Sequence, residues 1–329
     1  CGYRGLIAIH DTTLGPALGG TRFWNYASEE EALVDVLRLS QGMTLKAAAA
    51  GLNLGGGKAV IIGDPRTGDR EAIFRAHGRF VAGLAGRYIT AEDVGTSAMD
   101  MEYVRMETAH VVGLPERSGD PSPVTAFGIF RGIEACLQER FGSPEVAGRR
   151  VAVQGVGSVG YHLCHRLHQA GAELVVTDIH QEAIERVVKE FGATAVAPDA
   201  IYDVEADVYA PCALGATIND TTVSRLKVGI VAGSANNVLA ESRHGDELHA
   251  RGILYAPDYV INAGGLMSVY GELQSWNRDR VMRQVGEIHR SLTRLFAISR
   301  EEGVAPHEAA DMMARERIAA VGALHRVRT

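Results

Sequence analysis

Three charged side chains could do chemistry together. Lys58 follows three glycines in GLNLGGGKAVIIGDP (51–65) and precedes an apolar run. Lys46, in GMTLKAAAAG, stands 12 positions earlier, and Asp93 lies in TAEDVGT. A lysine after glycines suggests a phosphate cradle. A phosphate loop, however, reads G-x-x-x-x-G-K-[ST] and opens a helix. Here the first glycine position holds Leu52, the Ser/Thr position holds Ala59, and a strand-like run follows. The phosphate-loop reading fails. Two lysines converging on one pocket can divide the work. One holds a substrate carboxylate; the other, desolvated beside a like charge, has its pKa pushed down and can act as a base. The glycines would then let substrate approach Lys58, and Asp93 could shuttle a proton. Plainer readings stand beside these. Lys46 could simply face a helix C-terminus, and Asp93 could cap a turn.

A second constellation is VAVQGVGSVGYHL. Gly155, Gly157 and Gly160, with Val156, Ser158 and Val159 between them, form G-x-G-x-x-G between a strand and a helix. Gly155 permits the turn, Gly157 lets backbone reach a pyrophosphate, and Gly160 lets helix pack on strand. The helix N-terminus offers free N–H groups and a positive dipole. Asp178 ends the next strand, where an acid is expected for ribose hydroxyls. It would repel a 2′-phosphate, and no arginine follows in Ile179, His180 or Gln181. NAD is therefore expected over NADP. The run HLCHRLH places His162, Cys164, His165 and His168 on the following helix. His162 and Cys164, two apart, point in different directions, and no acidic partner is obvious, so packing is expected there and no metal.

These groups need elements to hold them. RGLIAIH (4–10) reads as a strand. SEEEALVDVLRLSQGMTLKAAAAG (28–51) reads as a helix with a Ser28/Glu31 capping box and a stripe of Leu33, Val36, Leu37 and Leu39. KAVIIGD (58–64) reads as a buried strand, and RYITAEDVGT (87–96) as a strand ending in a polar turn. The composition changes at SGDPSPVTAFG (118–128), which places a domain boundary near Pro123. Beyond it RRVAVQ, SVGYHLCHRLHQAG, AELVVTD and QEAIERVVKEFG alternate strand and helix. DVYAPCA, VGIVAGSAN and GILYAPDYVIN continue as strand-like runs, and the last 50 or so residues read as helices. This is an α/β pattern with a doubly wound parallel sheet. The 329 residues carry 40 acids against 33 bases and show no basic stripe, which speaks against nucleic acid. No apolar run approaches a membrane span of about 20 residues. Cys1, Cys136, Cys164 and Cys212 are scattered, which suits a reducing cytoplasm. The chain opens at Cys1, with no signal peptide visible.

GPALGGTR, GMTLKAAAAGLNLGGGKAVIIGDP, RYITAEDVGTS, GDPSPVTAFG, VAVQGVGSVGYHL, APCALGA, AGSANN and YAPDYVINAGG together resemble the superfamily of glutamate, leucine, valine and phenylalanine dehydrogenases. The match runs in order over nearly the whole chain and is most similar to the leucine dehydrogenases. The resemblance implies reversible oxidative deamination of an L-amino acid, with NAD, to a 2-oxo acid and ammonium. It implies a substrate domain (1–122, plus about 300–329) and a Rossmann-type NAD domain (123–299), with C-terminal helices returning to the first domain and a cleft that closes in turnover. Lys58 would activate water, Lys46 would bind the substrate carboxylate, and Asp93 would exchange protons with the departing amine. Gly19 and Gly20, in a GPALGGTR loop, would pass close to substrate, and Asn262 would help hold the carboxylate. Thr125, Cys212, Ala213, Ala235 and Asn236 would lie along the cofactor. The side-chain pocket would be Leu18, Ala91, Leu266 and Val269, all apolar, which argues against glutamate. One departure is NAGGL at 262–266, where leucine dehydrogenases usually read NAGGV; this form is similar to phenylalanine and tryptophan dehydrogenases, the alternative substrates. A non-catalytic NAD-binding relative would be marked by loss of Lys46, Lys58 or Asp93, and all three are present. Family members begin with additional residues and form homo-oligomers.

Overall fold

A computed structural model describes residues 1–114 and 120–325. The start of the SGDPSPVTAFG stretch, Ser118 and Gly119, lies outside the described residues, as do 326–329. The chain divides into two compact units. One comprises Cys1–Asp120, Ser268–Trp276 and the chain from Ala314; the other comprises Pro121–Met267 and Asn277–Met313. No helix among the described residues is long and apolar enough to cross a membrane.

The first unit is built on a four-stranded sheet of order β1-β3-β2-β4. Its strands are β1 (Gly5–Asp11), β2 (Ala17–Trp24), β3 (Gly55–Ile62) and β4 (Tyr88–Glu92). β1 runs antiparallel to β3, while β2 is parallel to both β3 and β4. Helix α1 (Glu29–Ala49) starts at Ser28, whose hydroxyl accepts the Glu31 N–H at 3.1 Å. The Glu31 carboxylate reaches one residue further back than a capping box requires, to the Ala27 N–H. The expected stripe of α1 is corrected. Leu33 and Leu37 are about half exposed, and the buried face is Ala32, Val36, Ser40, Thr44 and Ala47. The reason is close packing, since small residues let the helix approach the glycines of β3. A side chain on Gly56 would collide with the Thr44 backbone. Further along, Val60 packs with Ala32 and Val36. Helix α2 (Arg70–Gly83) covers the other face through Phe74, His77 and Val81.

A buried polar chain crosses that α2 face. Tyr3 Oη lies 2.9 Å from His77 Nδ1, His77 Nε2 lies 2.8 Å from Thr21 Oγ1, and Thr21 Oγ1 lies 2.6 Å from Thr90 Oγ1. His77 is fully buried, and desolvation lowers its pKa from the ordinary 6.5 to about 4. The folded chain thus refuses a proton that the unfolded chain takes up. Stability is fully present above about pH 6.5 and is lost as pH falls toward about 4, by roughly 3 kcal/mol in all. Urea midpoints measured over that range should show a slope that His77→Gln removes. An unchanged slope in the variant would assign the effect to other groups.

The second unit carries a six-stranded parallel sheet of order β10-β9-β8-β5-β6-β7. Its strands are β5 (Arg150–Gln154), β6 (Glu173–Thr177), β7 (Thr194–Ala195), β8 (Glu205–Pro211), β9 (Lys227–Val231) and β10 (Leu254–Tyr255). This is the doubly wound order, with its switch point between β5 and β8. The expected alternation from RRVAVQ onward is observed. One run is corrected: GILYAPDYVIN holds only the two-residue β10. Pro257 has no N–H to continue a ladder, and Asp258–Ile261 is a short helix. The core of this unit gathers Tyr209, Val231, Leu248 and Tyr255.

Candidate active site

Lys58 is the fourth residue of β3, not its first; the strand begins at Gly55. β1 pairs with this stretch and sets Ala8 against Lys58, with a register shift between Ile9 and Asp11. On the other side the β2–β3 ladder runs Leu18↔Gly56 and resumes at Thr21↔Ala59, skipping Gly19 and Gly20. The β2–β4 ladder is unbroken there and sets Gly20 against Ala91 and Thr21 against Glu92. GPALGGTR is therefore mostly strand β2, not a loop. Successive residues alternate faces in a strand, so Lys58 shares the α1 face with Gly56 and Val60. Its side chain is 9% exposed and forms an ion pair with Asp93 Oδ2. Glycine is required between them. A Cβ on Gly20 would collide with the Glu92 carbonyl and stand 2.9 Å from Asp93 Cβ.

The glycines before Lys58 pack closely against their neighbours. All three are buried. A side chain on Gly55 would strike the Asp11 carbonyl, one on Gly56 would strike Thr44, and one on Gly57 would stand 2.7 Å from the Tyr88 ring. Gly19 is likewise fitted against the Gly57 carbonyl, while the Tyr88 hydroxyl donates to the Gly19 carbonyl at 2.6 Å. Lys58 is paired with the Asp93 carboxylate. Lys46 lies half-buried in the last turn of α1. Leu18 is buried and Ala91 half-buried on β2 and β4.

Asp93 lies in the turn after β4. Thr96, not Asp93, caps that turn. Its hydroxyl accepts the Asp93 N–H at 2.8 Å and lies 2.8 Å from the Asp93 carbonyl and 3.1 Å from the Thr21 carbonyl. The Asp93 carboxylate is thereby left to face Lys58. Arg70 holds the turn from below. It bonds both oxygens of Asp100, at 2.8 and 2.5 Å, and the Gly95 carbonyl at 3.1 Å. Burial pushes the Asp100 carboxyl up, but bonds from Arg70 and Ser97 outweigh it and hold it below the usual range. Sequence reading missed Thr96, Arg70 and Asp100. The signal available was a threonine three residues after an aspartate, the spacing of a side-chain-capped turn.

The second unit supplies the other half of the expected chemistry. Gly155 has φ +95°, and a side chain there would stand 2.6 Å from Ala213 Cβ. Gly160 is pressed against the Gly155 carbonyl. Gly157 begins the helix Ser158–Gln169 with no side-chain cap, and a Cβ on it would meet nothing within 4 Å. Space over uncapped helix N–H groups is what a phosphate needs. Val156 donates to Asp178 Oδ2 at 2.7 Å and His180 to Oδ1 at 2.9 Å. These bonds lock the carboxylate at the C-terminal end of β6. Cys212 and Ala213 follow β8, where Cys212 N bonds the Gln154 carbonyl at 2.7 Å. Ala235 N bonds the Pro211 carbonyl at 2.9 Å. The residues present thus fit a dinucleotide.

Asn262 is buried and its amide is already engaged. Nδ2 donates to Asn236 Oδ1 at 2.8 Å and to the Ser234 carbonyl at 3.2 Å. A carboxylate would have to compete with these acceptors. The next glycines let a helix approach closely, because a Cβ on Gly264 would stand 2.9 Å from Thr125 Cα. Leu266 is buried and Val269 half-buried on the helix Gly264–Leu273. On the helix Ser158–Gln169, His165 and His168 pack against Phe191, each with ring centroids 5.6 Å away, and Cys164 is buried. Among the described residues, the group of ligand atoms close enough for a metal is Asp220, His244 and Glu247. Arg243 already pairs with both acids there.

Residues 2–110 match the model of the Glu/Leu/Phe/Val dehydrogenase dimerisation domain, and residues 118–325 match that of Glutamate/Leucine/Phenylalanine/Valine dehydrogenase. The leucine dehydrogenase of Geobacillus stearothermophilus is 59% identical over 320 residues, covering 96% of this chain and 87% of that protein. The leucine dehydrogenase of Bacillus cereus is 58% identical, covering 97% and 88%. The crystal structure of L-tryptophan dehydrogenase from Nostoc punctiforme superposes with TM-score 0.91 at 45% identity, covering 97% of this chain and 93% of that one. With both units matched and near-complete coverage, this chain belongs to the Glu/Leu/Phe/Val dehydrogenase family of amino-acid dehydrogenases.

Proposed function

We propose that the chain catalyses reversible, NAD-dependent oxidative deamination of L-leucine and its branched relatives to the 2-oxo acid and ammonium. The observation that carries this reading is the near-buried Lys58–Asp93 pair, a proton-handling couple on a strand face that also presents Gly20. The names of the relatives at 58–59% identity support leucine.

The bound nicotinamide would accept hydride from the substrate Cα. Every other step is assigned to side chains. Lys46 anchors the substrate carboxylate. Lys58 gives up its proton to solvent as the substrate binds, then turns from Asp93 to orient and deprotonate the water that attacks the imine carbon. Asp93 takes that water-derived proton from Lys58 and passes it to the departing nitrogen. Asp178 would accept hydrogen bonds from ribose hydroxyls, and its fixed negative charge supports NAD over NADP. Leu18 and Ala91 put only apolar surface beside the site. Such surface discriminates by about 1–3 kcal/mol per methylene, so branched relatives should react too. We also read the chain as self-associating. The segment matched by the dimerisation model leaves Trp24, Leu33, Val34 and Leu37 about half exposed.

The substrate is tested by kcat/KM over Leu, Ile, Val, Phe and Trp, with NAD and NADP compared for the best of them. Leucine with NAD should lead, with Ile and Val within about 10–200-fold. A preference for Phe or Trp would move the chain to the aromatic branch that NAGGL resembles.

A further inference from the structure

We propose that Arg22 is a positioning residue for Asp93, the second cation that keeps the carboxylate in place when Lys58 turns to the reacting water. This inference rests on the mechanism proposed above. In that mechanism Lys58 cannot stay paired with Asp93 while it activates water, so the carboxylate must keep another partner. One is in place. Arg22 Nε lies 3.7 Å from Asp93 Oδ2, on the same carboxylate oxygen that pairs with Lys58.

The position follows from the sheet. Arg22 is two residues beyond Gly20 on β2, and the β2–β4 register that ends at Thr21↔Glu92 leads directly to Asp93. The far side of the guanidinium is anchored. Nη1 donates to Asp35 Oδ2 at 2.9 Å, and that oxygen also accepts the Tyr26 hydroxyl at 2.6 Å. The near side is held in reserve, for Nε is a buried donor without a hydrogen-bond acceptor among the described residues. A buried donor left unpaired is costly and needs an explanation. A movement of under one ångström by either group would close the gap to Asp93 into a charge-assisted hydrogen bond. Tyr26, Asp35, Arg22, Asp93 and Lys58 thus form one line from helix α1 to the catalytic lysine. A fixed arginine fits this duty better than a lysine, because its fork can hold Asp35 with one edge and meet Asp93 with another.

The test compares Arg22→Gln and Arg22→Lys with the wild-type chain. Arg22→Gln should lower kcat for leucine about tenfold or more, with KM for NAD unchanged, and move the acid limb of the kcat/KM profile to higher pH. Arg22→Lys should recover part of both effects, because it restores charge without the fork. A lower melting temperature in Arg22→Gln with kcat and pH profile unmoved would overturn the proposal. So would equal loss in both variants with an unmoved profile, which is a structural effect. If the wild-type chain oxidises no amino acid, the mechanism itself falls and this inference with it. An active wild type with an indifferent Arg22→Gln removes the inference alone.

Discussion

Lys58→Ala should turn leucine over at least about 10³-fold more slowly than the wild-type chain, while NAD binds as before. The size follows from where the lysine sits. It is the near-buried cation on the α1 face of β3, held in register by β1, with its ammonium against Asp93. Alanine removes the group assigned to water activation. It also leaves the carboxylate facing Arg22 alone. The nucleotide groups Gly155–Gly160 and Asp178 belong to the other unit, with its own core, so NAD affinity reports on a part that the substitution does not touch. Pre-steady-state NADH formation and equilibrium NAD binding check the two halves of the prediction separately. Near-normal turnover by Lys58→Ala would show that the lysine is not the base. Loss of NAD binding alongside turnover would show that the variant is damaged more widely.

Asp93→Asn should cost about 10²–10⁴-fold in kcat, the ordinary range for a positioned proton carrier. The substitution is conservative in shape. The turn that carries Asp93 depends on Thr96 and on Arg70 at Gly95, not on the carboxylate. The fold around residue 93 should therefore persist, and melting temperature should stay close to wild type. Asparagine can still accept a bond from Lys58, yet it cannot take up a proton. A loss confined to kcat, with KM for leucine little changed, is the expected signature. A large drop in melting temperature with kcat intact would return Asp93 to a structural role.

Much of the architecture was legible in the residues. The strand–glycine–helix grammar of VAVQGVGSVGYHL marked the turn, and Gly155 and Gly160 take the turn and packing roles that the spacing implies. Alternating strands and helices after residue 149 led to the doubly wound sheet. The first unit was harder to read, and the glycines show why. GPALGGTR and LNLGGGK look like loops because glycine is poor in strands. In this sheet residues 17–22 and 55–58 are strand, and α1, Tyr88 and neighbouring carbonyls come too close there for side chains on the glycines. The helix α1 misled for the complementary reason. Its largest side chains suggested the buried stripe, but a helix lying on glycines buries its smallest residues. The pairing of Lys58 with Asp93 joins residues 35 apart on strands that are not neighbours in the sheet, and spacing alone could not reveal it. The supporting shell of Thr96, Arg70 and Asp100 carries no motif, because its work is to hold a turn.

The central claim is that this chain oxidises leucine and releases its nitrogen. The direct measurement is the stoichiometry of one reaction, purified chain with L-leucine and NAD, following NADH, ammonium and 2-oxo acid together. The account predicts one of each per leucine consumed, and reversal when the 2-oxo acid, ammonium and NADH are supplied. NADH formed without ammonium, or no NADH from leucine at all, would contradict it.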